Sequence, residues 1–185
     1  MRVLSFFLVF FIANVFASST YEEELGCLRF LETRDSSYLP WETNSFKPEF
    51  LVKNIGYVPL KNYHASVYFR IPQNKTIQKP ADDWHTPESV PSLRHLGNNV
   101  WELDMHFNKH ILYGGDSLTE GNVGLHLTDW SSFEKIVCGI ALKDSAGKVI
   151  FGSEPSAKEC LEYKQVDADE PVYTLLNKWS FKWLE

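Results

Sequence analysis

Cysteine is scarce: the 185 residues hold three, Cys27, Cys138 and Cys160. None is spaced C-x2-C with a matching histidine pair, so the spacing gives no zinc signature. Positive charge is also short, with 18 Lys and Arg against 24 Asp and Glu. That balance argues against nucleic acid and anionic membranes as partners. No G-x-S-x-G, H-E-x-x-H or P-loop occurs. The carboxylate pairs Asp82/Asp83 and Asp167/Asp169 read as solvated loop residues, whereas a glycosidase needs its two carboxyls across a cleft. His106 and His110 flank a predicted strand end, where a spacing of four brings nothing together, and they read as solvated positions. No catalytic residue, no metal site and no cofactor is expected. A copper-dependent polysaccharide oxidase would need a histidine at its processed N-terminus, and this chain would start at Ser18.

Long apolar runs are missing too, save one. Val3 to Val15 is broken only by Ser5 and Asn14. It falls short of the roughly 20 residues that span a bilayer. Arg2 precedes it and Val15-Phe16-Ala17 follows, which predicts a signal peptide over residues 1–17. The expected location is secreted, extracellular or cell wall, with no membrane association. The remainder is long enough for one domain with a real core. In an oxidising compartment two of the cysteines pair and one is left over. Asn74-Lys75-Thr76 is an N-glycosylation acceptor, which predicts a surface loop at Asn74.

What is present is alternation with period two. Tyr63, Ala65, Val67, Phe69 and Ile71 share one face of a predicted strand, and His64, Ser66, Tyr68 and Arg70 share the other. Trp101, Leu103, Met105 and Phe107 oppose Val100, Glu102, Asp104 and His106 in the same way. Shorter strands are expected near Cys27–Leu31, Glu49–Lys53, Val123–Leu127, Ile136–Leu142 and Lys148–Phe151, with a turn at Gly114-Gly115-Asp116. The last two strands form a hairpin closed by Ser145-Ala146-Gly147. Residues 72–99 hold four prolines and read as a long loop. The fold class is therefore all-β: an antiparallel, jelly-roll-like β-sandwich of about seven to nine strands. Val67, Phe69, Leu103, Val149 and Phe151 are expected in its core.

After Pro155 the pattern changes. Lys158 to Val166 reads as a strand or a helical turn. Val172, Tyr173, Leu175, Leu176, Trp179, Phe181 and Trp183 crowd the end of the chain. Residues 156–185 are expected as a C-terminal extension packed on the sandwich. The competing reading is an exposed aromatic patch for another extracellular protein.

The stretch "IALKDSAGKVIFGSEP" resembles the closing strands of family 3 carbohydrate-binding modules. "CLRFLETRDSSYLPWETNSFKPEFLVKNIGYVPLKNYHASVYFRI" resembles the opening of that family, and "VWELDMHF" with the following Gly-Gly-Asp its middle strand and turn. The resemblance covers about residues 25–155 within a sandwich domain placed at 18–155. It implies a cellulose-binding β-sandwich with an insoluble polysaccharide, cellulose or a related β-glucan, as ligand. Flat aromatic rings suit such a ligand because each pyranose presents an apolar C–H face, with polar groups at the rim for the hydroxyls. Two stretches could supply them: "DDWH", with Asp83, Trp84 and His85, and "TDWSSF", with Asp129 and Trp130. Trp130 is a stacking ring or a core or rim residue; Trp84 is a stacking ring or a loop anchor. Trp101 is expected in the core, and Tyr57 and Tyr68 are candidates for an outward face. The family's calcium-site residues are replaced here by "RIPQN" and by a direct run from Phe133 to Ile136, and its binding-face arginine has no counterpart near Leu125–Leu127. The family order also implies a Cys27–Cys160 disulfide; Cys138–Cys160 is the rival pairing, with Cys138 otherwise a buried thiol. The alternative function is an extracellular structural or protein-interaction sandwich that has lost the sugar face.

Overall fold

Eleven strands and one short helix make up the described part of the chain. They are β1 (Arg29–Asp35), β2 (Ser45–Phe46), β3 (Pro48–Asn54), β4 (Leu60–Arg70), β5 (Ile77–Gln78), β6 (Val90–Gly97), β7 (Val100–Leu112), β8 (Ser117–Glu120), β9 (Leu125–Leu127), β10 (Ile136–Lys143), β11 (Val149–Gly152) and α1 (Ala157–Glu162). The computed structural model describes residues 29–35, 43–78, 89–120 and 123–164. The segment 1–17, Cys27, the stretch Asp83-Trp84-His85 and the aromatic tail from Val166 onward lie outside the described residues.

One layer is a five-stranded sheet in the order β11-β10-β4-β7-β6. The other comprises two three-stranded sheets, β1-β3-β8 and β2-β9-β5. Every pairing is antiparallel. The alternation read from the sequence dictates what meets between the layers. Tyr63, Ala65, Val67 and Phe69 on β4 and Leu103, Met105 and Phe107 on β7 are all fully buried. They face Leu31, Phe50 and Val52 from one small sheet and Phe46, Ile77, Leu125 and Leu127 from the other, in a single core. Phe151 packs on that core while half-buried. Val149 is half-buried outside it. Trp101 is likewise half-buried against the core, with its ring 4.6 Å from the His95 imidazole.

The segment expected as a loop over residues 72–99 contains β5 and the whole of β6. β6 is an edge strand, which tolerates Pro91, and it has no strictly buried face to impose a clear alternation. The strand expected to end near Phe107 continues to Leu112, so His106 and His110 lie within β7. The β10–β11 hairpin forms as read. Gly147 takes φ +79°, and the Asp144 carboxylate accepts the Ala146 and Lys148 amides. Gly152 ends β11 at φ +78°, where an added Cβ would strike the Ile140 carbonyl.

The disulfide expectation is corrected: Cys160 pairs with Cys138, at a Cα separation of 5.2 Å, so it is not available to Cys27. The physical reason is the placement of α1. Ser156 caps it, with Glu159 closing a capping box. Arg70, at the end of β4, donates to the Leu161 and Tyr163 carbonyls. The helix thus lies over the five-stranded sheet, and its buried Cys160 reaches Cys138 on β10.

Candidate binding platform

Leu125 and Leu127 point into the core, so the period of two turns His126 outward between them. His126 is flanked in register by Ser45 of β2 and Gln78 of β5. Its Nδ1–H donates to the Asn44 carbonyl at 3.2 Å, which fixes the ring. Directly after β9 the chain turns: the Trp130 amide donates to the Leu127 carbonyl. Trp130 adopts φ +55°, a left-handed conformation that a bulky side chain rarely takes. Its ring is 56% exposed and lies against His126, centroids 4.7 Å apart. The core alternative for this tryptophan is thereby excluded.

Five hydrogen bonds hold the turn. Asp129 accepts the Ser131 amide and hydroxyl through one oxygen. Lys75, from the turn before β5, donates to the other oxygen of Asp129 at 2.6 Å and to the Ser131 hydroxyl at 2.9 Å. The Thr128 amide bonds the Thr76 carbonyl. The Lys75 ammonium, followed by the two Ser131 bonds, holds the Asp129 carboxyl down to about 2. The result is an outward indole on a braced turn, rimmed by an imidazole, a carboxylate, an amine and a hydroxyl. Such a surface can stack on an apolar ring face and hydrogen-bond its hydroxyls.

Of the sequence-predicted site residues, the structure brings Asp129 and Trp130 together. Asp83, Trp84 and His85 lie outside the described residues. Tyr57 is 65% exposed, but on the β3–β4 loop at the opposite end of β4 from the Lys75 turn. Tyr68 does lie on the outer face of β4, opposite Glu102, but it is fully buried there and presents no surface. Its hydroxyl donates to Glu102 at 2.8 Å beneath Lys143, and burial, then Glu102, pushes its phenol upward. Burial alone would raise Glu102, but bonds from Lys143, Tyr68 and Arg94 more than offset it and leave that carboxyl lowered. His126 and Lys75 were missed in the sequence. Alternation around Leu125 and Leu127 could have placed His126, but Lys75 carries no local signal.

A second polar cluster lies on the outer face of the five-stranded sheet. His64 donates through Nδ1 to Asp104 at 2.7 Å, and Ser66 donates to the other oxygen of Asp104 at 2.6 Å. His106 stacks on His64, centroids 4.1 Å apart, and bonds the Asn62 side-chain carbonyl. The serine is held by the carboxylate instead of by an imidazole, so it lacks the base contact that activates a nucleophile. Among the described residues no group of three or more His, Cys, Asp or Glu is placed to hold a metal ion. No helix among them is long and apolar enough to cross a membrane.

No family model matches the sequence, and no curated protein matches it. Solved structures do. One is the unique CBM3 of Hungateiclostridium clariflavum, at TM-score 0.52 and 20% identity over 69% of this chain and 100% of that one. A second is the family 3b carbohydrate-binding module from the biomass-sensing system of Clostridium clariflavum, at 0.53 and 16% over 70% and 98%. A third is module CBM3b from the cellulosomal cellobiohydrolase 9A of Clostridium thermocellum, at 0.51 and 17% over 69% and 97%. The chain shares the fold of family 3 carbohydrate-binding modules, as its strand order suggested.

Proposed function

We propose that this protein is a secreted, non-catalytic carbohydrate-binding module that adsorbs weakly to an insoluble β-glucan such as cellulose. The observation that carries the reading is Trp130: a large ring held outward in a strained backbone conformation by Lys75, Asp129 and Ser131. Strain of this kind persists only where the surroundings impose it, and it concentrates at sites of function. The shared fold supports a sugar as the ligand, and the Cys138–Cys160 disulfide supports an oxidising compartment. One ring adds roughly 0.5–1.5 kcal/mol beyond area burial, so the expected affinity is modest. The test is adsorption to microcrystalline cellulose with Trp130→Ala in parallel. The wild type binds and the variant stays in solution with an unchanged circular dichroism spectrum. Equal adsorption of both removes Trp130 from the site, and adsorption of neither removes the function.

A second reading has its own observation. Ile55, Tyr57, Val58 and Tyr113 are exposed on two loops packed at the far end of β4, where Gly115 bonds Asn54. This apolar end favours a protein-interaction module. Retention of cellulose binding when Tyr57 and Tyr113 are both changed to serine separates it from the first reading.

A further inference from the structure

The acceptor Asn74-Lys75-Thr76 occupies the turn that braces Trp130. Asn74 and Thr76 are exposed, and the turn is closed by the Lys75 amide on the Pro72 carbonyl at 3.1 Å. β5 and β9 run antiparallel, with Gln78 opposite His126 and Ile77 opposite Leu127. The pairing continues past both strands: Thr76 meets Thr128 through the backbone, and Lys75 meets Asp129 through an ion pair of 2.6 Å. Lys75 also bonds the Ser131 hydroxyl, so the residue next to Asn74 grips both chain neighbours of Trp130. We propose that Asn74 carries an N-glycan that stands beside the Trp130 ring and shields it, so that glycosylation sets how much of the protein can bind polysaccharide. The inference rests on the reading of Trp130 as the sugar-stacking ring.

The chemistry is a glycosyl transfer without redox change. The Asn74 side-chain nitrogen forms a bond to the anomeric carbon of a lipid-diphosphate-linked oligosaccharide. The bond from that carbon to the diphosphate oxygen breaks, the lipid diphosphate leaves, and the amide loses one proton. The exposed Asn74 amide and Thr76 hydroxyl meet the acceptor requirement. A bulky, hydrated glycan at this point covers the face from the β5 side and leaves the core untouched.

The full-length protein is produced in a glycosylating eukaryotic host and compared with its enzymatically deglycosylated form and with Asn74→Gln. Peptide mass reads occupancy, hydroxyl-radical footprinting reads the exposure of Trp130, and adsorption to microcrystalline cellulose reads binding. The expected result is an occupied Asn74, a Trp130 footprint that rises when the glycan is removed, and binding that strengthens by about fivefold, the worth of one stacked ring. An unmodified Asn74, or a Trp130 footprint that is the same with and without the glycan, overturns the inference. A footprint that changes while no form adsorbs leaves the glycan's position standing and overturns the sugar-binding reading instead.

Discussion

Trp130 sets stability against presentation at a single position. Left-handed backbone costs a residue with a Cβ roughly 1–2 kcal/mol, and glycine escapes that cost while losing about 0.4–1 kcal/mol to its freer unfolded chain. Trp130→Gly should therefore be more stable than Trp130→Ala by about 0.5–1 kcal/mol, although both lose cellulose binding. Paired urea titrations read the difference, and equal midpoints would mean that the strain is not borne at φ. The brace beside the ring has its own pH signature. Asp129 is held below its ordinary 3.8 at about 2, so its pairing with Lys75 is present above the unfolded value and lost as pH falls through the folded one. Binding should persist through mildly acidic conditions and fail only as pH approaches about 2. Loss of binding near the usual carboxylate range would show that Lys75 does not hold Asp129 in solution. Lys75→Met should abolish the low-pH persistence.

Elements with one buried face were legible, and elements without one were not. β4 and β7 alternate because Val67, Phe69, Leu103 and Phe107 are fully buried on one side, so period two survived in the sequence. β6 is exposed or half-exposed along its length and carries Pro91, so it read as a loop. The six residues of α1 are too few for a helical period, and only Ser156 and Glu159 announce it. The disulfide followed from where that helix docks, which no spacing of three cysteines specifies. Of the platform, Trp130 and Asp129 were legible only through the resemblance carried by "TDWSSF", and Lys75 acts from 54 positions away. Reducing Cys138–Cys160, or replacing Cys160 by serine, should free α1 from β10 and cost roughly 3 kcal/mol for a loop of this size. Thermal melts with and without reductant read that loss. The cross-strand pair on the outer face makes a separate prediction. His106 is lowered from 6.5, first by burial and then by the like charge of His64, with Asp104 opposing. Lys143 lies opposite His64 in register, and β6 offers only Val90 and Ser92 there. The folded state thus takes up the proton less readily than the unfolded chain, so stability is full above pH 6.5 and declines as pH falls below it. His106→Gln should flatten that decline, measured by urea midpoints at stepwise lower pH.

The platform and the five-stranded sheet share one core, and this determines how the whole molecule fails. Phe46 leaves the short strand β2 next to Ser45, the partner of His126, and inserts between the layers. Its ring lies 5.2 Å from Phe69 on β4 and 5.8 Å from Phe133, which follows the Trp130 turn. β2, β5 and β9 total only a few residues each, too little for a sheet to stand alone. They are held by what Phe46, Ile77, Leu125 and Leu127 bury against β4 and β7. The Trp130 platform should therefore unfold with the domain, in one cooperative transition. Phe46→Ala removes the ring that joins both layers and should cost about 3–5 kcal/mol. In calorimetry it should lower the single melting temperature, with the calorimetric and van't Hoff enthalpies still equal. Two separate transitions in that variant, with cellulose binding lost at the first, would mean that the Trp130 platform is an independently melting lobe. The continuous packing from Phe133 through Phe46 to Phe69 argues for the single transition.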